Sequence, residues 1–224
     1  MRVTKATTFL LLSVLLLMSG CSSQLQPVQS AGSNAAGNLA PSETHANTMQ
    51  YIAAGVDLTR FTAFIIDPVE IYSGADAQFG NVSVPDQQAM AKFMHDEFVR
   101  VLGTRYKIVN SPGPNVLRIR LTLAGIDVTV PAAAAVTRVL PVGLVVNSVS
   151  AATGQSGTFL GSVAYAADFY DSETNVLVAK LVTRQEPNAM DVTVVLSSLD
   201  AARAGVTQGA QRLLADINRI HGKT

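Results

Sequence analysis

The chain has 224 residues with 16 basic and 16 acidic side chains, and charged residues make up 14% of the sequence, against roughly 25% in ordinary domains. A chain without net charge has no basic field that would attract nucleic acid or anionic lipid headgroups. The single cysteine, Cys21, excludes an intrachain disulfide. The length suits one domain with a sizeable core.

The first twenty residues have the layout of a bacterial secretory signal. Arg2 and Lys5 form a basic start, and an uncharged, Leu-rich run of ten residues follows at 9–18. A run of that length is too short for a transmembrane helix, which needs about 20 residues. We therefore predict a signal peptide at 1–20, and its removal would leave a formal charge of −2.

Residues 18–21, Met-Ser-Gly-Cys, resemble a lipobox, the site at which a bacterial signal is cut before a cysteine. We expect the thiol of Cys21 to carry lipid, so that the mature chain is anchored to a membrane without spanning it. The alternative is a buried cysteine at the end of a signal-anchor helix. Ser22 stands where an aspartate would favour retention in the inner membrane, so we predict an outer-membrane protein on the periplasmic side.

Residues 21–48 are rich in Ser, Gln, Asn, Ala and Gly and show no hydrophobic periodicity. This composition is typical of a flexible tether. A random coil of about 27 residues has an r.m.s. length of roughly 30 Å. We expect such a tether to hold the domain near the membrane without fixing its orientation, and we predict a single globular domain at 49–224.

The folded part is predicted to begin with a strand and a helix. The β-branched and aromatic run 61–66 predicts a strand, which Pro68 ends. Ser83, with Asp86 three residues later, predicts the start of a helix. Apolar residues then recur at helical spacing until Gly103, which predicts the end of that helix.

Four further strands are predicted. The first is the short apolar run 106–109, and the second is 117–123, in which apolar and polar residues alternate as in a half-buried strand. The runs 159–170 and 176–184 predict a hairpin around a turn rich in Asp, Ser and Asn. Asn175 in this turn is able to adopt a left-handed backbone conformation.

The last predicted helix starts at a cap formed by Ser197 with Asp200, and an apolar stripe continues to Ile220. The region 130–157 has no clear pattern, and 139–167 contains no charged residue. Two alternatives remain open for this uncharged region: a segment that contacts lipid or a partner, or a buried helix or loop pair that caps one end of the sheet.

The predicted element order is β-α-β-β-(insert)-β-β-α. Short connections between the middle strands favour antiparallel pairing with both helices on one side. We therefore predict an α+β fold: a two-layer sandwich with a mainly antiparallel sheet of about five strands and two helices on one face.

A set of short landmarks, which occur in a consistent order between residues 51 and 217, resembles a bacterial outer-membrane lipoprotein family catalogued as domain of unknown function 3313. The landmarks are Tyr51-Ile52, Gly55-Val56-Asp57-Leu58, Ile66-Asp67-Pro68-Val69, Asp86-Gln87-Gln88, the stretch from Pro112 to Arg120, and Asp171-Ser172 with Thr174. The resemblance implies an outer-membrane lipoprotein and assigns it no reaction.

The sequence predicts no catalytic, cofactor or metal site. The three histidines are scattered: His45 is in the tether, His95 is on the polar side of the first helix, and His221 is near the end of the chain. A metal site needs three or four convergent ligands.

The polar residues of the strands have structural interpretations. We expect Asp168 on a strand face and Asp171 in the support of the turn, with an acid–base pair as the alternative. Asp67, at a strand end, is expected to accept hydrogen bonds from backbone amides. Arg118 and Arg120 share a strand face, where cross-strand ion pairs are more usual than an anion-binding groove.

Three functional hypotheses follow. The first is a non-catalytic envelope lipoprotein, anchored through Cys21, that binds another envelope protein or its own copies. The second is a module that binds lipid or a small hydrophobic molecule with the uncharged region 139–167 as its lining. The third, and least favoured, is an enzyme on envelope polymers that uses Asp67, Asp168 or Asp171 as acid and base.

Overall fold

The computed structural model describes residues 27–34, 39–128, 161–187 and 199–222. The predicted signal peptide, the lipobox with Cys21, and most of the uncharged region lie outside the described residues. Within the described ranges, no helix combines the length and the apolar character that crossing a bilayer requires.

The elements of the structure are, in chain order, β1 Ala40–Pro41, β2 Thr48–Ile52, a 3₁₀ turn at Leu58–Arg60, β3 Ala63–Ile66, β4 Glu70–Ile71, α1 Val84–Leu102, β5 Lys107–Ile108, β6 Val116–Asp127, β7 Ser162–Asp171, β8 Leu177–Gln185 and α2 Asp200–Ile220. The eight strands form one sheet in the order β1-β2-β8-β7-β6-β3-β5, and β4 pairs with β6 beyond the end of β3.

The α+β class is confirmed, but the predicted sheet of about five mainly antiparallel strands is not accurate: the sheet has eight strands and contains parallel pairs as well as antiparallel ones. Strands β1, β2, β8, β7 and β6 pair antiparallel with one another in that order, whereas β3 pairs in parallel with both β5 and β6, and β4 pairs in parallel with β6. Helix α1 is the crossover that parallel pairing of β3 with β5 requires. The short connection between β5 and β6 suggested a hairpin, yet β3 lies between them.

Helix α1 begins and ends where the sequence predicts. The Ser83 hydroxyl accepts a hydrogen bond from the amide of Asp86 at 3.3 Å, Pro85 occupies the first turn, and Gly103 follows the last helical residue. Ser197, the predicted cap of α2, lies outside the described residues; the helix begins at Asp200, with Leu199 at the N-cap position and no side-chain hydrogen bond from that residue.

The two faces of the sheet have different coverings. Ile119, Leu121 and Leu123 of β6 belong to the main hydrophobic core, which they share with both helices. Residues that point the other way, Ala124, Ala166 and Val182, form a smaller cluster with Val28 and Ala31 of the N-terminal segment, residues 27–34. We refer to these as the helix face and the outer face.

Helix α2 lies unusually close to the sheet at Gly209. A Cβ atom at Gly209 would lie 2.4 Å from the Tyr165 hydroxyl, and one at Gly205 would lie 2.9 Å from the backbone oxygen of Gln185. The lack of a side chain at both positions therefore allows this close packing.

The N-terminal region differs from the predicted tether over its described part. Val28 and Ala31 are buried against the outer face, and β1 and β2 extend the sheet beyond β8. His45 also contacts Asp216 of α2 at 2.8 Å. Small and polar residues gave this region the composition of a linker, but the same small residues fit closely against the sheet.

Candidate binding groove

A groove of about 240 Å³ lies on the helix face, between the C-terminal half of α2 and strands β2 and β8. Most of its lining is apolar, and it opens to solvent along one side. Residues on its walls include Ile52, Leu58, Phe61, Phe169, Leu213 and Ile220.

Two isoleucines form the lips of the groove. Ile52 of β2 is 54% exposed and Ile220 of α2 is 41% exposed, although both are large apolar side chains. β1 pairs only with Met49 and Gln50, so within the described residues the outer edge of Tyr51 and Ile52 has no strand partner. Across the ranges described above, the apolar groove thus lies beside a short strand edge that has no pairing strand.

Polar contacts surround this apolar floor. The Nε2 atom of His45 lies 2.8 Å from Asp216 Oδ2, and Arg219 donates to the other oxygen of Asp216 at 3.0 Å. At the end of α2, the Tyr106 hydroxyl donates to Asn218 at 3.0 Å. An apolar centre with a polar rim is the usual anatomy of a protein-binding surface.

The three histidines do not converge. His45 contacts Asp216, His95 lies 3.3 Å from Asp96, and His221 is beside the backbone oxygen of Ile217 at the end of α2. Across the described ranges, no group of three or more His, Cys, Asp or Glu residues has the arrangement to hold a metal ion.

Asp171 supports the turn between β7 and β8, as the sequence predicts. Its Oδ1 accepts hydrogen bonds from the amides of Glu173 at 2.9 Å and Thr174 at 3.0 Å, and Arg60 forms an ion pair with its other oxygen. Burial alone would raise the pKa of Asp171, but the two amides and the Arg60 guanidinium together lower it. Asn175 in this turn has a positive φ of 54°.

Asp168 lies on the outer face, opposite Lys180 of β8. The distance from Asp168 Oδ1 to Lys180 Nζ is 3.7 Å, and both side chains are almost fully buried. Burial raises the pKa of Asp168 and lowers the pKa of Lys180. Since Asp168 and Asp171 are three residues apart on one strand, they point to opposite faces and do not form the acid–base pair considered above.

Asp67 contacts two arginines and not the backbone amides predicted for a residue at this strand end. Its Oδ2 lies 3.3 Å from Arg120 Nε and 3.6 Å from Arg118 Nε, because β3 runs beside β6. The Arg120 guanidinium also lies 4.7 Å from the centre of the Tyr170 ring. Arg118 and Arg120 therefore have a carboxylate partner on the neighbouring strand.

Sequence reasoning did not find the groove. Of the uncharged region proposed as a hydrophobic lining, residues 139–160 lie outside the described residues, and 162–167 are buried in β7. The signals in the sequence were faint: Tyr51-Ile52 is a family landmark, and Ile220 ends an apolar stripe. Nothing local indicated that these residues, far apart in the chain, would meet.

Comparison with known structures gives distant similarities. The PelC dodecamer from Paraburkholderia phytofirmans is 8% identical, with 79% of this chain and 99% of that chain covered and a TM-score of 0.38. Protein XCC0632 from Xanthomonas campestris is 11% identical, with 71% and 85% covered and a TM-score of 0.35. The hypothetical protein CT253 from Chlamydia trachomatis is 13% identical, with 71% and 96% covered and a TM-score of 0.32.

No curated protein matches the sequence. A family model described as "protein of unknown function (DUF3313)" matches residues 30–213. This match covers the N-terminal segment on the outer face from residue 30 onwards, all eight strands and most of α2. The chain belongs to the DUF3313 family.

Proposed function

We propose that this chain is a lipid-anchored outer-membrane protein on the periplasmic side, acylated at Cys21, whose domain binds a segment of another envelope protein in the groove. The role is non-catalytic. The observation that carries the binding role is the apolar groove, with Ile52 and Ile220 exposed at its lips.

The geometry of the groove favours an extended apolar segment as its occupant. In the part of the chain that the structure describes, Ile52 lies at a strand edge without a partner, where a peptide can add main-chain hydrogen bonds while its alternate side chains enter the groove. Exposed apolar residues inside a rim of hydrogen-bonded polar residues suit a partner segment that also has apolar side chains at its centre and polar groups around them.

The size of the groove favours a protein segment over a lipid or another small hydrophobic ligand. Sites that enclose such ligands have volumes of about 300–1,000 Å³ and bury most of the ligand. The groove measures about 240 Å³ and is open along one side. It would leave much of a lipid exposed to water.

The contacts of the carboxylates support a non-catalytic role. Asp67 is paired with two arginines, Asp168 with Lys180, and Asp171 with Arg60 and the amides of its turn. Each carboxylate has a structural partner, and the three do not share one cleft.

The proposal of a lipid anchor is supported by the order of the leading residues: a basic start, ten uncharged residues, and a small pair before the single cysteine. Labelling of cells with palmitate tests it. The label should enter the wild-type protein, and Cys21→Ser should abolish labelling and release the protein from membranes. A Cys21→Ser protein that remains bound to membranes would contradict the anchor.

Photo-cross-linking in intact cells tests the binding role. A photoreactive residue at Ile220 should give an adduct with one discrete envelope protein. Val84 is equally apolar and more exposed, lies outside the groove, and serves as the matched control. The adduct should disappear when the opposite lip carries Ile52→Asp. Equal adducts at both positions, or an Ile220 adduct that survives Ile52→Asp, would contradict binding in the groove.

A further inference from the structure

We infer that the outer face of the sheet is held next to the membrane surface and that the groove is turned away from it. This inference rests on the acylation of Cys21 proposed above. It follows from how the N-terminal segment is fastened to the sheet and from the short length of chain that remains before the lipid.

The segment 27–34 is fastened to the outer face by buried apolar and polar contacts. Val28 is 2% exposed and Ala31 is fully buried. The Lys180 ammonium donates hydrogen bonds to the backbone oxygens of Ala31 at 2.6 Å and Ser33 at 2.7 Å. In return, the amide of Ser33 donates to Asp168 Oδ2 at 2.5 Å. The buried ion pair of the sheet thus holds the N-terminal segment by its backbone.

Gly32 makes this attachment sterically possible. Its φ of +73° is a left-handed conformation that residues with a side chain rarely adopt. A Cβ atom there would lie 2.6 Å from Asp168 Oδ2 and 3.3 Å from the Ala166 Cβ atom. The backbone at Gly32 therefore approaches the sheet more closely than any other residue would permit.

The attachment leaves only a short linker between the lipid on Cys21 and the domain. From Cys21 to Val28 there are seven residue steps, which in any conformation span at most about 25 Å. A compact domain of about 200 residues is roughly 40 Å across. A linker of this length cannot reach from the outer face around the sheet to the helices.

The orientation therefore comes from the attachment point. Arg118 and Arg120 on the outer face share the carboxylate of Asp67, so the described residues of this face offer little unpaired positive charge to anionic lipids. A free tether of about 27 residues would have allowed any orientation. With the segment fastened, the groove on the helix face stays accessible to a partner in the periplasm.

The test uses the acylated full-length protein in vesicles that contain lipids with nitroxide-labelled headgroups. Because acylation consumes the native thiol, a cysteine placed elsewhere is the single site for a fluorescent label. Ser73→Cys labels the outer face, where Ser73 is exposed beside Gly32, and Lys92→Cys labels the exposed side of α1. Quenching by the headgroups should be several-fold stronger at position 73 than at position 92.

A variant with a longer linker is the control. Twelve Gly and Ser residues inserted between 26 and 27 should reduce quenching at position 73 to nearly that at position 92. Acylated protein with equal quenching at both sites, or with stronger quenching at position 92, would overturn the orientation. If quenching stays stronger at position 73 with the longer linker, the short linker is not the cause of the orientation. Absence of lipid on Cys21, measured on the same samples, would instead refute the proposed anchor.

Discussion

Replacement of Lys180 by methionine removes the ammonium group and keeps most of the apolar stem. The Lys180 side chain is 2% exposed, and its loss leaves the buried Asp168 carboxylate without its cation and two backbone oxygens without their donor. Removal of one partner of a buried ion pair typically costs about 3–5 kcal/mol. We expect Lys180→Met to lose that much free energy of unfolding at pH 8, measured by urea denaturation with circular dichroism.

The loss should depend on pH in a definite direction. Burial raises the pKa of Asp168 above its usual value of 3.8, so the ionised carboxylate costs stability as pH rises from 3.8 through the raised pKa. The deficit of Lys180→Met should therefore be smaller at pH 5 than at pH 8. The double variant with Asp168→Asn, which removes both charges, should recover much of the loss. A deficit below about 1 kcal/mol at pH 8, or a double variant less stable than the single one, would refute this account of the pair.

Three further predictions test the packing, the turn and the helix cap. Gly209→Ala should lower the free energy of unfolding by about 1–3 kcal/mol through overpacking, although alanine favours helices. The clash is with the Tyr165 hydroxyl, so the addition of Tyr165→Phe should restore part of this loss, as measured by thermal denaturation. The pKa of Asp171 is lowered, so its ionised form stabilises the fold above pH 3.8, and that stability disappears as pH falls through its folded pKa. Asp171→Asn should therefore make the free energy of unfolding in urea less sensitive to pH below about 4. An unchanged dependence on pH in this range would contradict the prediction. Ser83→Ala should cost about 1 kcal/mol, whereas Ser73→Ala, at an exposed loop position, should leave the melting temperature unchanged.

Elements with local signals were predictable from the sequence. Helix α1 has a cap at Ser83 and a stop at Gly103, and both signals lie within a residue of the helix ends. The hairpin of β7 and β8 is marked by Asp171 and Asn175, whose turn chemistry acts over a few residues. In each case the residues that specify the structure are neighbours in the chain.

The remaining features depend on contacts between distant residues. Ser33 and Asp168 are 135 positions apart, and His45 and Asp216 are 171 apart. The composition around Ala31 predicts a tether because small, polar residues are common both in flexible linkers and in segments that pack closely against a sheet. The parallel insertion of β3 was equally hidden, since a two-residue strand such as β5 has no periodicity to read.

We propose that lipid on Cys21 holds this domain at a membrane. Mass spectrometry of the protein purified from the membranes of its bacterial host, without prior delipidation, measures this modification itself. We expect a mature chain that begins at Cys21 and carries a diacylglyceryl group on the sulfur. A chain that retains residues 1–20, or one that begins elsewhere with an unmodified thiol at Cys21, would contradict it.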